Sequence, residues 1–270
     1  MGGTRHRIRG VVKLQHLAYE VAGTGPGLVL IHGTSSTPYG TWGSCVEALA
    51  KSHTVVLPYL PGSGDSPMPA APIEAAAVAA QIVAVTSRVG LRRFAIAGAS
   101  LGGPLAMKVA AMYPERVTHL VSVCGYAKAR PSLRLREQVF AAVLNLDSVT
   151  IGRLLLVLGL TDTTLANLPD GALDAMAEHL GSNLAAGTRE QIVLAYTIDV
   201  EQDLSSICAP TLLIAGADDN FVDAAHSEDA ARHIPAATLQ LMAGGHGLTL
   251  EHSEAVAEAI TTFVSRNGTP

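Results

Sequence analysis

Phe94-Ala-Ile-Ala-Gly98-Ala99-Ser100-Leu101-Gly102-Gly103 is the stretch on which the reading of this chain turns. The apolar run Arg93 to Ala99 reads as a strand, and Leu101 to Met112 as a helix stopped near Pro114. Ser100 thus stands where strand turns into helix. A serine there sits on a sharp, strained bend that presents its Oγ, and the small residues beside it let strand and helix pass closely. The G-x-S-x-G pattern occurs once in the chain. A Gly-rich packing turn is the competing reading, and the strand–turn–helix context argues against it.

Outward from this turn the chain alternates. Leu14 to Val21, Gly27 to His32, His53 to Tyr59 and Val117 to Cys124 read as strands, and Ile73 to Val89 as a helix with Val78, Ile82 and Val85 on one face. The alternation resumes with a strand from Pro210 to Gly216, a helix Ala224 to His233, a strand Thr238 to Met242 and a helix Ser253 to Val264. Pro210 suits the first position of a strand, which can do without an amide donor. Continuous apolar strands separated by helices imply a mostly parallel sheet covered on both faces, an α/β fold. From Lys128 to Ser206 no strand-like run occurs, and helices are expected, one opened by a capping box at Thr188-Arg-Glu-Gln191. The organisation expected is a core of residues 1–127 and 207–270 with a helical lid, 128–206, over the sheet edge where such folds bind ligands.

Composition narrows the function classes. A chain of 270 residues suits one large domain or a domain with an insertion. Its formal charge of −5, with no basic run, excludes a nucleic-acid footprint. With 49% hydrophobic and 15% charged residues, and a mean hydropathy of +0.32, it has ample material for a core and none of the signature of disorder. The densest apolar stretch, Leu154 to Leu160, lies between Arg153 and Asp162 and is far short of the ~20 residues of a membrane span. The N-terminus has no apolar signal core, and His6 stands where a myristoylation signal needs Ser or Thr. Cys45, Cys124 and Cys208 are odd in number and lack metal-type spacing, so buried, reduced thiols in a cytoplasmic protein are expected, with no metal and no cofactor.

A serine at its free pKa needs a base, and the base needs an acid to hold it. Among ten histidines, His246 in Ala243-Gly-Gly-His246-Gly follows the last strand and reaches the same sheet edge as Ser100. A loop histidine by itself is an ordinary solvated residue; its place after the final strand is what singles it out. For the acid, Asp218 and Asp219 follow the strand ending at Gly216, and one of them must serve. No carboxylate follows the preceding strand, where the chain runs Gly125-Tyr-Ala-Lys-Ala-Arg130, and Asp223 reads as a helix N-cap. Ile31-His32-Gly33-Thr34 closes an early strand. The amides of Thr34 and Leu101 are the natural donors to a developing oxyanion, while His32 reads as a structural hydrogen-bonder.

With Ser, Asp and His in that order, the chain resembles the α/β-hydrolase family. The resemblance covers nearly everything but the lid, which it places between strands 6 and 7 of the family's count. Leu28-Val-Leu-Ile-His32-Gly33 resembles the family's strand-3 and oxyanion-loop motif, and Pro210-Thr-Leu-Leu-Ile-Ala-Gly216-Ala-Asp-Asp219 its acid motif. Gly245-His246 is similar to its histidine motif, with Glu251 in the acidic position that follows. The resemblance implies a triad of Ser100, Asp219 and His246, with Thr34 and Leu101 supplying the oxyanion hole. Two departures stand out: Tyr59 replaces the usual Asp in Tyr59-Leu-Pro-Gly-Ser-Gly64, and Ala99 stands before the nucleophile where His is frequent. A serine nucleophile argues against the dehalogenase and epoxide-hydrolase branches, and the lack of further glycines after His32-Gly33 argues against esterases with an HGGG loop.

The substrate expected is an apolar small molecule, free or on a carrier. Phe140, Leu155, Leu156 and Tyr196 are the lid residues taken to roof the site, although most apolar residues at helical spacing are plain packing. Lys128, Arg130, Arg134 and Arg136 at the lid entrance fit a solvated face, or contact with an anionic substrate or carrier. Three functions remain open. One is a serine hydrolase of an ester, a thioester or an activated C–C bond. Another is an elimination, lyase or cyclisation enzyme using His246 as base, which Tyr59 and the loop Thr34-Ser35-Ser36-Thr37-Pro38 keep in view. The last is a ligand receptor that retains the triad.

Overall fold

The computed structural model describes residues 16–266. The readings of the extreme N-terminus and the start of the strand expected from Leu14 lie outside that range. Seven strands form one sheet: β1 (Tyr19–Ala22), β2 (Gly27–Ile31), β3 (Thr54–Pro58), β4 (Phe94–Ala99), β5 (Val117–Val123), β6 (Thr211–Gly216) and β7 (Ala237–Met242). Their order is β1-β3-β2-β4-β5-β6-β7. β1 runs antiparallel to β3 and every other pair is parallel. β2 and β4 are buried at every position, so they read in sequence as unbroken apolar runs rather than as alternations.

Each buried strand feeds two cores, because successive side chains point to opposite faces. Val29 and Ile31 of β2 join one core with Val78 and Ile82 of α3 (Ala75–Arg88) and Leu105 and Val109 of α4 (Gly102–Met112). Leu28 and Leu30 join the other. There they meet Trp42 at the end of α1 (Pro38–Trp42), Val46 and Leu49 of α2 (Cys45–Ala50), and Val256 and Ile260 of the last helix, α12 (Ser253–Arg266). Each such Leu or Ile contributes roughly 1.5–3 kcal/mol by leaving water.

Between β5 and β6 the chain is helical. It comprises α5 (Pro131–Val143), α6 (Ser148–Gly159), α7 (Asp162–Ala166), α8 (Ala172–Ser182), α9 (Thr188–Thr197) and a 3₁₀ turn, Glu201–Ser206. Its only extended pairing among the described residues is an isolated bridge between Lys128 and Asp199. α6 and α8 touch backbone to backbone, for a Cβ on Gly152 would lie 1.8 Å from the Ala177 carbonyl oxygen. Phe140, Ile151 and Ile192 make a small separate core in this insertion. After β6 come α10 (Ala225–His233), β7 and α11 (Leu248–Glu251).

Three local expectations are corrected. The capping box at Thr188 does not form: Gly187 is the N-cap and the Thr188 hydroxyl donates to the Ala185 carbonyl. Gln191, its other member, is drawn into a buried site across the fold, where its bonds replace several others. Asp223 lies one residue before the N-cap of α10, Ala224, and its carboxylate accepts the Ala225 amide at 2.8 Å. Cys45 and Cys124 are buried free thiols, but Cys208 is exposed, in the turn ahead of β6.

Candidate active site

Ser100 is placed by the passage from β4 to α4. Its φ of 53° is left-handed, a conformation that costs a residue with a Cβ on the order of 1–3 kcal/mol. Hydrogen bonds hold it there: the Ser100 amide donates to the Val123 carbonyl at 3.0 Å, and the Gly103 amide to the Ser100 carbonyl at 2.8 Å. The flanking glycines are required by close approach. A Cβ on Gly98 would fall 1.9 Å from the Gly102 oxygen, and one on Gly102 would fall 2.4 Å from the Ile31 oxygen.

His246, in the loop between β7 and α11, faces Ser100 with Nε2 2.9 Å from Oγ. Its Nδ1 lies 2.8 Å from Oδ2 of Asp219, whose side chain is fully buried. A carboxylate only accepts, so Nδ1 carries the proton and Nε2 is free to accept from the Ser100 hydroxyl. The other Asp219 oxygen accepts the amides of Phe221 (2.8 Å) and Val222 (2.7 Å), which fixes the carboxylate plane. Asp218, by contrast, is exposed, and its amide donates to the Gly244 carbonyl at 3.0 Å. The fold therefore joins Asp219, His246 and Ser100 in one hydrogen-bonded chain. The Phe221 ring packs edge-on against the imidazole at 5.0 Å between centroids.

The insertion supports this chain. Glu251 of α11 accepts the Gly245 amide at 2.6 Å through one oxygen and the Thr161 amide at 2.8 Å through the other. Burial alone would raise its pKa, but the Thr161 and Gly245 amides and the Thr161 and Thr164 hydroxyls outweigh it, so the carboxylate is held below its usual range. The Gly247 amide donates to the Gly159 carbonyl at 2.6 Å. Arg136 of α5 donates to the Phe221 carbonyl at 2.9 Å, steadying the loop that carries Asp219.

Leu101 follows Ser100 in the chain, and Thr34 lines the same cavity as Ser100. Neither amide donates in the backbone bonds of the turns, loops and caps, and Leu101 stands at the N-cap of α4, where the helix dipole favours negative charge. His32 behind them is fully buried. Its Nε2 accepts the Leu60 amide at 2.9 Å, so Nδ1 carries the proton and donates to the Gly33 carbonyl at 2.8 Å. Burial lowers its pKa to about 4 against the raising effect of the Gly33 bond, and it remains a neutral strut. The Tyr59 hydroxyl donates to Glu20 on β1.

The site opens on a cavity of about 170 Å³. Phe140 and Leu155 line it, joined by Leu158 and Phe221. Leu156 and Tyr196 are not part of that lining. Leu156 is buried outside that lining at 5% exposure, while Leu155 and Leu158, three residues apart on α6, share the face that meets the cavity. Tyr196 packs instead against the small core around Phe140 and Ile192. Of the basic residues at the start of the insertion, Lys128 pairs with Asp199 and Glu201, and Arg130 with Asp229.

Two residues of this site escape sequence reading. Gln191 accepts the Ser35 amide at 2.8 Å and donates to the Pro61 carbonyl and the Ser63 hydroxyl, both at 2.9 Å. Glu137 lines the cavity at 1% exposure, and burial pushes its pKa up from 4.5 to about 8. Its spacing from Leu133 and Phe140, i+4 and i−3, is the signal that could have placed it on the buried face of α5. Among the described residues, the side chains close enough together to ligate a metal are Cys124, Asp219 and His246. Burial, and then the charge of Asp219, push the Cys124 thiol well up, and a protonated thiol is a poor ligand.

The family model described as alpha/beta hydrolase fold matches residues 26–253. The chain is 27% identical to a pyrrolizixenacetamide deacetylase of Xenorhabdus hominickii, covering 94% of this chain and 96% of that protein. It is 31% identical to a pimeloyl-[acyl-carrier protein] methyl ester esterase of Xanthomonas campestris pv. campestris, covering 91% and 98%. A solved hydrolase from Pseudomonas aeruginosa PA01 superposes with a TM-score of 0.81 at 25% identity, over 92% of this chain and 94% of that one. With the fold, the matched span and these relatives in agreement, the chain belongs to the alpha/beta hydrolase fold family and is a hydrolase of that family.

Proposed function

We propose that the protein is a cytoplasmic serine hydrolase that cleaves an ester, a thioester or an activated C–C bond of an apolar small molecule, free or on a carrier. The observation that carries this reading is the unbroken chain Asp219–His246–Ser100 ending at an apolar cavity. His246 Nε2 takes the proton as Ser100 Oγ attacks the acyl carbon. The amides of Thr34 and Leu101 stabilise the oxyanion, and Asp219 holds the tautomer and the charge formed on the imidazole. The leaving group departs with the proton from His246, and a water activated the same way releases the acid.

A cavity of about 170 Å³ is close to the ~150 Å³ that accommodates a benzene-sized ligand, so the part of the substrate it holds is a short acyl chain or one ring. The helices from 128 to 206 serve as the lid that closes over it. The relative that acts on a methyl ester of a carrier-bound acyl group makes a carried ester one admissible form of substrate. Treatment with a fluorophosphonate tests the reading: one adduct is expected, on Ser100, and none on Ser100→Ala. Absence of the wild-type adduct would remove the nucleophile. Retention of native turnover by Ser100→Ala, with its loss in His246→Ala, would turn the assignment to a non-hydrolytic reaction.

A further inference from the structure

The Oε2 atom of Glu137 is buried with no hydrogen-bond partner among the described residues, and it belongs to a side chain lining the cavity that holds Ser100. A carboxyl in that condition makes no case for itself as a packing element. An apolar side chain of similar volume would fill the space without the loss of hydration. Its neighbours do not satisfy it. The Tyr126 hydroxyl donates to the Ala195 carbonyl, and Arg136, next in the chain, is directed to the Phe221 carbonyl. Among the described residues no Lys or Arg lines the cavity, and His246 is the other titratable group there. A second buried polar atom without a partner, Thr34 Oγ1, belongs to the same lining. The cavity is thus apolar with two polar points left open.

We propose that Glu137 is a specificity-determining residue whose carboxyl donates a hydrogen bond to an uncharged acceptor, a carbonyl or ether oxygen, on the part of the substrate held in the cavity. This deepens the hydrolase reading and rests on it for the identity of the ligand as substrate. Burial favours the protonated carboxyl up to a pH of about 8, so a proton is there to donate at neutral pH. An ammonium group is the weaker match. It would bring a second charge into a largely apolar cavity, and desolvation of both charges would offset their attraction. A site with a buried donor rejects the analogue lacking the acceptor, because the donor is then left unpaired.

The test uses p-nitrophenyl esters of saturated acids, a series with one ketone oxygen at successive chain positions, and ω-ammonium counterparts. Wild-type protein is expected to favour one ketone ester over its plain parent by about tenfold or more in kcat/KM, chiefly through KM. Glu137→Met should erase that preference, bringing the ketone and plain esters to equal kcat/KM within the variant, and melt no lower than wild type. Glu137→Gln, which retains a donor, should keep part of the preference. An unchanged preference in Glu137→Met, no ketone preference at any position, selection of the ammonium ester, or a lower melting temperature for Glu137→Met would each overturn the proposal. The matching p-nitrophenyl ethers cannot be hydrolysed and give the same comparison as dissociation constants. If no ester turns over and Ser100 takes no fluorophosphonate, the hydrolase reading fails separately, and the ethers still decide the role of Glu137.

Discussion

Gln191 of α9 accepts the amide of Ser35 at 2.8 Å, tying the helical insertion to the loop that carries the Thr34 amide across 156 residues of chain. The same side chain reaches the Pro61 carbonyl and the Ser63 hydroxyl, so one fully buried amide satisfies three groups in the loops after β2 and β3. Backbone irregularity next to the site requires it, for Ser35 has a φ of 57° and its amide has no strand or helix to bond.

Gln191→Leu should therefore cost both stability and turnover. Removing the amide leaves buried partners unpaired, a loss of about 1–3 kcal/mol each. A displaced oxyanion donor lowers kcat by up to about 10²–10³. Urea denaturation and steady-state kinetics on one ester measure the two effects. A drop in stability with unchanged kcat would show that the bond supports the fold alone.

Ser100→Ala, His246→Ala and the double variant should each lose several orders of magnitude in turnover, and the losses should not add, because the groups act as a unit. Independent, multiplicative losses in a double-mutant cycle would contradict the hydrogen-bonded chain as the working unit.

Asp219→Asn should lower turnover about 10⁴-fold, since the imidazole would be held in the wrong tautomer. Asp218→Asn, at an exposed position, should be close to wild type. Equal effects of the two substitutions would argue against the geometry at His246 Nδ1.

Leu155→Ala and Leu158→Ala should redistribute preference among acyl sizes. A change of one methylene in an apolar pocket is worth ~1–3 kcal/mol, so tens-fold shifts rather than abolition are expected. Leu156→Ala, buried outside the cavity lining, should instead lose roughly 2–5 kcal/mol of stability with little change in selectivity. The reverse pattern would mean that α6 is rotated about its axis.

Glu137 also predicts a pH dependence of stability. Folding raises its pKa from 4.5 to about 8, so between those values the folded state holds a proton that the unfolded chain releases. Stability contributed by this position is thus full below pH 4.5 and falls as pH rises towards 8. Glu137→Gln should gain on wild type across that window, by on the order of a few kcal/mol. Urea denaturation of both proteins at pH 5 and pH 8 checks the sign, and a constant difference would mean that the carboxyl titrates normally.

The family and the sheet were legible in the order of residues because their signals are local. The unbroken apolar run of β4, the glycines around Ser100 and the turn residues after β6 and β7 each act within a few positions, through sterics and the period of side-chain burial. Chain order and motif spacing likewise singled out Ser100, His246 and, by resemblance, Asp219. Only the tertiary structure decided what depends on which helix face is covered. Leu155 and Leu156 are adjacent and equally apolar, yet the packing of α6 sets one in the cavity lining and buries the other outside it. Thr188 and Gln191 have the spacing of a cap, yet Gln191 is claimed by Ser35, Pro61 and Ser63, partners more than a hundred residues away. Glu137 shares a helix face with Leu133 and Phe140 by spacing alone, but only the placement of α5 against the cavity shows that this face is covered and that the carboxyl finds no partner there.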